Sequence, residues 1–239
     1  MISFIIPAHN EEQLVGRTLD ALISAAAAIG REYEIIVVAD ACNDRTAEVA
    51  ASRDVRVIEV EHRQIAATRN SGARAARGDV FFFIDADTLA NAEALRAALA
   101  AIEQGAIGGG FVFRFDGQVP LWGKLMHPLG DVAGRWLKLV GGCFLYCTRA
   151  GFEAVGGFCE DYYAAEELIF LRSLRRHGRL VVPRETVVTS GRKVRSFSPL
   201  EVLYQLLRVI VGGRRFLRRR DGLDVWYGPR RPDPETSAT

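Results

Sequence analysis

The sequence predicts an α/β fold: a mostly parallel, Rossmann-like sheet with helices on both faces, joined to a smaller mixed lobe. Two observations carry this. From residue 2 to residue 105, short continuous apolar runs alternate with stretches of helical period, and a β-α-β-α order buries a parallel sheet between helical layers. Polar and acidic residues then gather just beyond the runs, at 7–11, 40–44 and 85–87. Open sheets of this class bind ligands at that edge.

The elements follow in order. ISFIIP (2–7) has the length and branching of a buried strand. Within 11–30, Val15, Leu19, Leu22, Ile23 and Ala26 share a helical face, and Gly30 is a stop signal. EIIVVAD (34–40) is a second strand, 44–53 a second helix and VRVIEV (55–60) a third strand. Residues 64–78 read as a helix weakened in its middle by Asn70, Ser71 and Gly72. DVFFFID (79–85) is the fourth strand and 91–105 the fourth helix.

Beyond this point the pattern is less regular. Residues 108–117 alternate like one strand with a wet face, and 120–140 are helical in pieces broken at Pro128. GCFLYCTR (142–149) is a strand whose period of two puts Cys143 and Cys147 on one face. An amphipathic helix over 166–178 precedes a strand–turn–strand over 179–193. With no linker evident, 1–196 reads as one domain with halves at about 1–108 and 109–196, and 197–239 as a basic extension.

Composition narrows the class. Hydrophobic residues make up 49% and charged residues 25%, ordinary values for a globular protein. Four cysteines without a CxxC pair read as free thiols in a reducing compartment. No signal peptide is visible, and no apolar run approaches the roughly 18 residues of a spanning helix, so a cytoplasmic location is expected. The net charge of +2 hides an asymmetry: residues 191–239 hold eleven Lys/Arg against five Asp/Glu. There Leu200, Leu203, Leu207 and Val211 share a helical face ahead of five arginines within 214–220. Such a helix is expected to pack its apolar face on the protein while 199–220 offers arginines to an anionic membrane surface, a peripheral attachment on the inner face. Apart from Phe216 those arginines have no interleaved aromatics, which argues against nucleic-acid binding.

FFFIDADT (81–88) delivers two carboxylates, Asp85 and Asp87, to the ligand edge. Such a pair can hold a hard divalent cation, Mg2+ or Mn2+, that bridges to phosphate oxygens. A solvated turn is the plainer alternative.

Five segments together resemble the family 2 glycosyltransferases: FIIPAHNEE, VVADACNDRT, ATRNSGARAARGD, FFFIDADT, and FEAVGGF followed by AAEELIFLRSLRRHG. They cover about residues 1–190. The resemblance implies the GT-A fold, with a nucleotide-binding first half and an acceptor-binding second half. It also implies a nucleotide-diphosphate-sugar donor of UDP or GDP type, and inverting, metal-dependent transfer to an unidentified hydroxyl. A lipid-linked or envelope-polysaccharide acceptor would suit the basic tail. The resemblance assigns Pro7, Ala8, His9 and Glu11 to a loop around the nucleotide, with His9 against the base, and Asp40 to a hydrogen bond from the base. Arg69 would neutralise charge or stack on the base. Asp85 and Ala86 would lie along the donor, with Asp87 and Asp85 as metal ligands, Asp87 the stronger. Gly156 and Gly157 would let the backbone approach the sugar. Glu167 takes the place of the family's aspartate base, with Glu166 second, although two glutamates also suit a helix N-terminus. His127 is a weaker metal candidate.

The chain departs from the family pattern at Ala39, Ala41-Cys42, Cys159 and Glu167. These departures keep open a nucleotide-sugar-binding protein without catalysis. A nucleotidyltransferase is a further rival, but it would carry a Gly-rich basic loop where PAHNEE stands.

Overall fold

The computed structural model describes residues 1–138, 140–228, 231, 233 and 234, and of 126–130, 133, 137, 206 and 210 the backbone alone. The first half runs β1 (Ile2–Ala8), α1 (Val15–Ala27), β2 (Tyr33–Asp40), α2 (Thr46–Ala51), β3 (Arg56–Val60), α3 (Ile65–Ala75), β4 (Val80–Ile84), β5 (Thr88–Leu89), α4 (Ala92–Glu103). The second half adds β6 (Ala106–Gly110), β7 (Val112–Phe115), α5 (Leu121–Leu137), β8 (Phe144–Thr148), α6 (Arg149–Ala154), α7 (Glu166–Leu174), β9 (Arg179–Val181), β10 (Thr186–Thr189), α8 (Arg192–Ser196), α9 (Pro199–Leu217) and α10 (Asp224–Tyr227).

Seven strands form the central sheet in the order β3-β2-β1-β4-β8-β6-β9. The β3-β2-β1-β4 block is parallel, and β8 enters antiparallel between β4 and β6. The chain winds outward from β1 to β3, then returns to place β4 on the other side of β1. That reversal is the switch point at which such sheets leave a crevice. The smaller mixed lobe is a three-stranded sheet, β5-β10-β7.

Strand alternation explains the phenylalanine run. Phe82 and Ile84 join Phe4 and Ile6 in one core, under α1 and α4 residues such as Leu19, Leu22, Leu95 and Leu99. Phe81 and Phe83 face the other way with Ile5 and Ile36, against α3, α6 and α7. A strand buried on both faces has no reason to alternate with polar residues.

Several local expectations need correcting. Residues 108–117 are not one strand: the chain leaves the central sheet after Gly110 and re-pairs as β7 with β10. One alternating run therefore serves two sheets. Residues 121–137 form a single helix rather than pieces; His127 and Pro128 are outside the residues whose side chains are described. Cys143 and Cys147 lie on opposite faces, because β8 begins only at Phe144 and Cys143 is not bound by its period. Both are free thiols, as are Cys42 and Cys159. Asn70-Ser71-Gly72 do not weaken α3. A Cβ on Gly72 would meet Ile5 Cγ2 at 2.4 Å, so the small residue lets α3 lie close on the sheet.

The tail departs most. α9 starts with a capping box between Ser198 and Glu201, with Pro199 in the first turn, a strong helix start. Its apolar face does not pack on the protein: Leu200, Leu203, Leu207 and Val211 are 50–86% exposed. Gln205 is the buried side instead, donating to the Gly222 carbonyl at 2.6 Å. Among the described residues no helix is long and apolar enough to cross a membrane.

Candidate active site

A cleft opens at the switch point. Its walls are Pro7, Ala8, His9 and Glu11 after β1, Asp40 at the end of β2, and Arg63, Gln64, Ile65 and Thr68 at the start of α3. Asp85, Ala86 and Asp87 follow from β4, with Lys193, Trp226 and Tyr227 from the C-terminal region.

Both sheets hold the acidic turn. Asp85 N–H donates to the Cys143 carbonyl at 2.9 Å, and Thr88 N–H closes the turn onto the Asp85 carbonyl at 3.0 Å. From the small sheet, Ser190 N–H donates to the Asp87 carbonyl at 3.0 Å, and the Thr88 and Thr189 hydroxyls bond at 2.8 Å. The two carboxylates thus sit on a braced turn.

Their charge environments differ. Asp85 accepts from Arg69 Nη2 at 3.0 Å. Burial, with Glu11 and Asp85 nearby, pushes the Asp87 carboxyl up to about 6 against the pull of Lys193 and Arg192. Glu11 is itself buried and paired with Arg192, one guanidinium nitrogen lying 2.8 and 2.9 Å from its two oxygens. Asp87 is therefore a buried carboxyl crowded by two others, whose ion-pair partners are Arg69 and Arg192. A divalent cation suits it. Among the described residues no group of three or more His, Cys, Asp or Glu is placed to cage a metal. Two carboxylates are, however, what Mg2+-type sites use when substrate phosphates complete the shell.

Arg69 is not open to the cleft. It is 1% exposed and ties three chain segments together: Nη1 to Glu166 at 2.8 Å, and Nη2 to Asp85 and to the Gly142 carbonyl, each at 3.0 Å. Burial works against its charge, yet Asp85, Glu166 and Glu167 together hold its pKa above the usual arginine value. Stacking on a base is closed to it, and holding Asp85 is what its geometry does.

Glu166 and Glu167 open α7, directly after Ala165 in the left-handed region (φ 61°, ψ 19°), uncommon for a residue with a Cβ. Both carboxyls are held above the ordinary range. For Glu166 burial is the main cause, partly offset by Arg69; for Glu167 it is burial and then Glu166 itself. Neither lines this cleft; they lie across Arg69 from Asp85.

Asp40 is nearly buried, and its carboxylate already accepts four hydrogen bonds. The N–H groups of His62 and Arg63 reach Oδ1 at 2.7 and 2.8 Å; Gln64 N–H and the Thr68 hydroxyl reach Oδ2 at 3.1 and 2.7 Å. A carboxylate offers about four such sites. Its work here is to hold the entry to α3, which leaves little for a base N–H. His9 Nδ1 donates to the Asp40 carbonyl at 2.7 Å, which leaves Nε2 as the acceptor facing the Arg63 guanidinium.

Gly157 lies outside the cleft. Its φ is +80°, and a Cβ there would meet Asn70 Oδ1 at 2.7 Å. Asn70 clamps this loop, accepting from Phe158 N–H and donating to the Phe158 carbonyl, each at 2.9 Å. The glycine is required by that clamp. Sequence reasoning missed Arg63, Lys193, Trp226 and Tyr227. The first two carry no motif of their own, and the aromatic pair sits in a tail whose return to the cleft no local pattern announces.

The parallel sheet, the crevice at its switch point and the braced acidic turn define the GT-A fold. Solved structures agree: the mannosyltransferase PcManGT from Pyrobaculum calidifontis in complex with GDP-Man and Mn2+ aligns at TM-score 0.65 and 19% identity, over 91% of this chain and 62% of that one. S. aureus TarS 1–349 in complex with UDP-GlcNAc aligns at 0.61 and 17%, over 89% and 66%. The chain belongs to glycosyl transferase family 2, whose model matches residues 3–154. An undecaprenyl-phosphate 4-deoxy-4-formamido-L-arabinose transferase from Edwardsiella ictaluri is 32% identical over 116 residues, 44% of this chain and 34% of that protein. The chain matches about a quarter to a third of the length of such curated relatives.

Proposed function

We propose that the protein transfers a sugar from a nucleotide-diphosphate donor to a hydroxyl acceptor, with metal dependence and inversion. The observation that carries this reading is the acidic turn at the switch-point cleft, joined through buried Arg69 to a glutamate pair on the far side. One end would hold the donor; the other would serve the acceptor. Neighbours complexed with GDP-Man and Mn2+ and with UDP-GlcNAc support a donor of UDP or GDP type.

Asp87 and Asp85 would hold Mn2+ or Mg2+ together with phosphate oxygens. When bound, the ion supplies charge neutralisation for the departing nucleoside diphosphate. The chain's own residues do the rest. Lys193 and Arg63 add positive charge along the cleft, and Arg69 fixes Asp85. Glu167 takes the proton of the acceptor hydroxyl as its oxygen attacks the anomeric carbon. The bond from that carbon to the diphosphate breaks, and its electron pair leaves with the nucleotide.

Thermal unfolding with UDP, GDP and CDP, each with and without Mn2+, tests the donor reading. A ligand at 100 times its Kd adds about 2.7 kcal/mol to stability. One nucleotide should give a metal-dependent shift; no shift with any of them would overturn the reading.

Glu167→Gln tests the base. Turnover should fall about 10²- to 10⁴-fold while the nucleotide shift survives. Because burial and Glu166 raise the Glu167 carboxyl, the wild-type rate should climb with pH as the pair loses its proton, on a limb that belongs to the pair. The variant should lose that limb. Unchanged turnover would exclude Glu167.

A lipid-linked acceptor fits the outer surface. α9 exposes Leu200, Leu203, Tyr204, Leu207 and Val211, and α5 exposes Leu121, Leu125, Val132 and Trp136. Arg214, Arg215, Arg218 and Arg219 line a groove with Tyr162. Apolar side chains beside clustered arginines suit an anionic bilayer, and a relative's name specifies undecaprenyl phosphate. Phosphatidylglycerol vesicles at low salt should sediment the protein, and changing Arg218 and Arg219 to Glu should release it. Equal recovery with neutral vesicles would count against the electrostatic part.

A further inference from the structure

The C-terminal segment after α9 returns to the cleft and is clamped there. Leu223 is 1% exposed. Gly222, at φ +83°, has Arg208 packed so tightly against it that a Cβ would lie 2.1 Å from Nη2. The Gly222 carbonyl accepts from both Gln205 and Arg208. Downstream, Arg195 grips Asp233 at 2.8 and 2.5 Å, and Arg231 reaches the Ser196 carbonyl and Glu201 at 3.0 and 2.9 Å. Polar anchors thus hold the segment on both sides of α10.

Between the anchors stand Trp226 and Tyr227, both lining the same cleft as His9 and the acidic turn. Trp226 is 43% exposed, a large aromatic with an uncovered part in the cleft. Tyr227 packs edge-on to Tyr163 at 5.8 Å. Its hydroxyl is buried, and the approaching Ile65 N–H does not close a hydrogen bond of normal geometry. A hydroxyl without accessible surface is out of reach of a ligand in the cleft, so Tyr227 supports this wall through its ring, packed beside Tyr163.

We infer that this segment is the fourth wall of the donor cleft, with Trp226 as a stacking face for the donor's nucleotide and Tyr227 packed behind it as support. The inference rests on the donor reading above and extends it to residues outside the matched family region. An aromatic ring offers any planar base a partner without demanding a particular one, so the wall contributes affinity more than choice of base.

The test titrates UDP and GDP, with Mn2+, into the full chain, Trp226→Leu and Trp226→Phe, read by protein fluorescence and thermal unfolding. Stacking on an aromatic is worth about 1–3 kcal/mol, so Trp226→Leu should weaken nucleotide binding about tenfold or more. Trp226→Phe should restore most of it and remove the ligand-induced quench expected of the wild type. Wild-type affinity in Trp226→Leu would overturn the inference, and so would tighter binding in that variant, which would make the segment an obstruction. If binding is lost in Asp87→Asn but intact in Trp226→Leu, the donor reading stands and this inference alone falls. If wild type binds neither nucleotide, both fall.

Discussion

Replacing Asp87 with asparagine is expected to lower turnover about 10³-fold and to abolish the metal-dependent part of nucleotide binding. A bound cation is worth several kcal/mol of charge stabilisation at a leaving diphosphate, and about 1.4 kcal/mol is tenfold in rate. Asparagine keeps the size of the side chain and the braced turn, in which the Asp87 backbone carbonyl accepts from Ser190. What it removes is a charge crowded by Glu11 and Asp85. The unliganded variant should therefore unfold at or above the wild-type temperature while its nucleotide shift disappears. That combination separates lost metal binding from misfolding. Activity within twofold of wild type would rule out Asp87 as a metal ligand.

Replacing Arg69 with methionine should cause the largest loss of stability. Removing one member of a buried charge network costs about 3–5 kcal/mol, because the partners left behind are buried charges without compensation. Here the partners are Glu166, 6% exposed at the side chain, and Asp85 at 31%. Lysine should rescue poorly, since one ammonium cannot reproduce the planar fork that meets two carboxylates and the Gly142 carbonyl. Adding Glu166→Gln to Arg69→Met should recover part of the loss by removing one stranded charge. Denaturant unfolding measures all of these variants. A loss under 1 kcal/mol for Arg69→Met would mean that the network contributes little.

Much of the fold was legible because it is written in short-range patterns. Continuous apolar runs such as FFFI specify strands buried on both faces, helical periodicity marks α1 and α4, and their alternation leads to a parallel sheet. The acidic turn was legible for the same reason: two carboxylates directly after a buried strand fall at the ligand edge wherever that strand sits. Local pattern failed where one run served two sheets, as at Gly110, or where a strand began one residue late, as at Cys143.

The sequence by itself determined the α/β class, the strand whose end carries Asp85 and Asp87, and the family to which the chain belongs. Only the tertiary structure decided what the polar residues do there. Arg69 meets Glu166 across 97 positions of sequence, Asp40 turns its carboxylate to the start of α3, and Trp226 and Tyr227 come back to a cleft begun at Pro7. Periodicity records which face of an element is apolar over a few residues. Which distant carboxylate a buried guanidinium must find is settled only when the sheet and its helices close, because there each buried charge has to be paired or hydrogen-bonded.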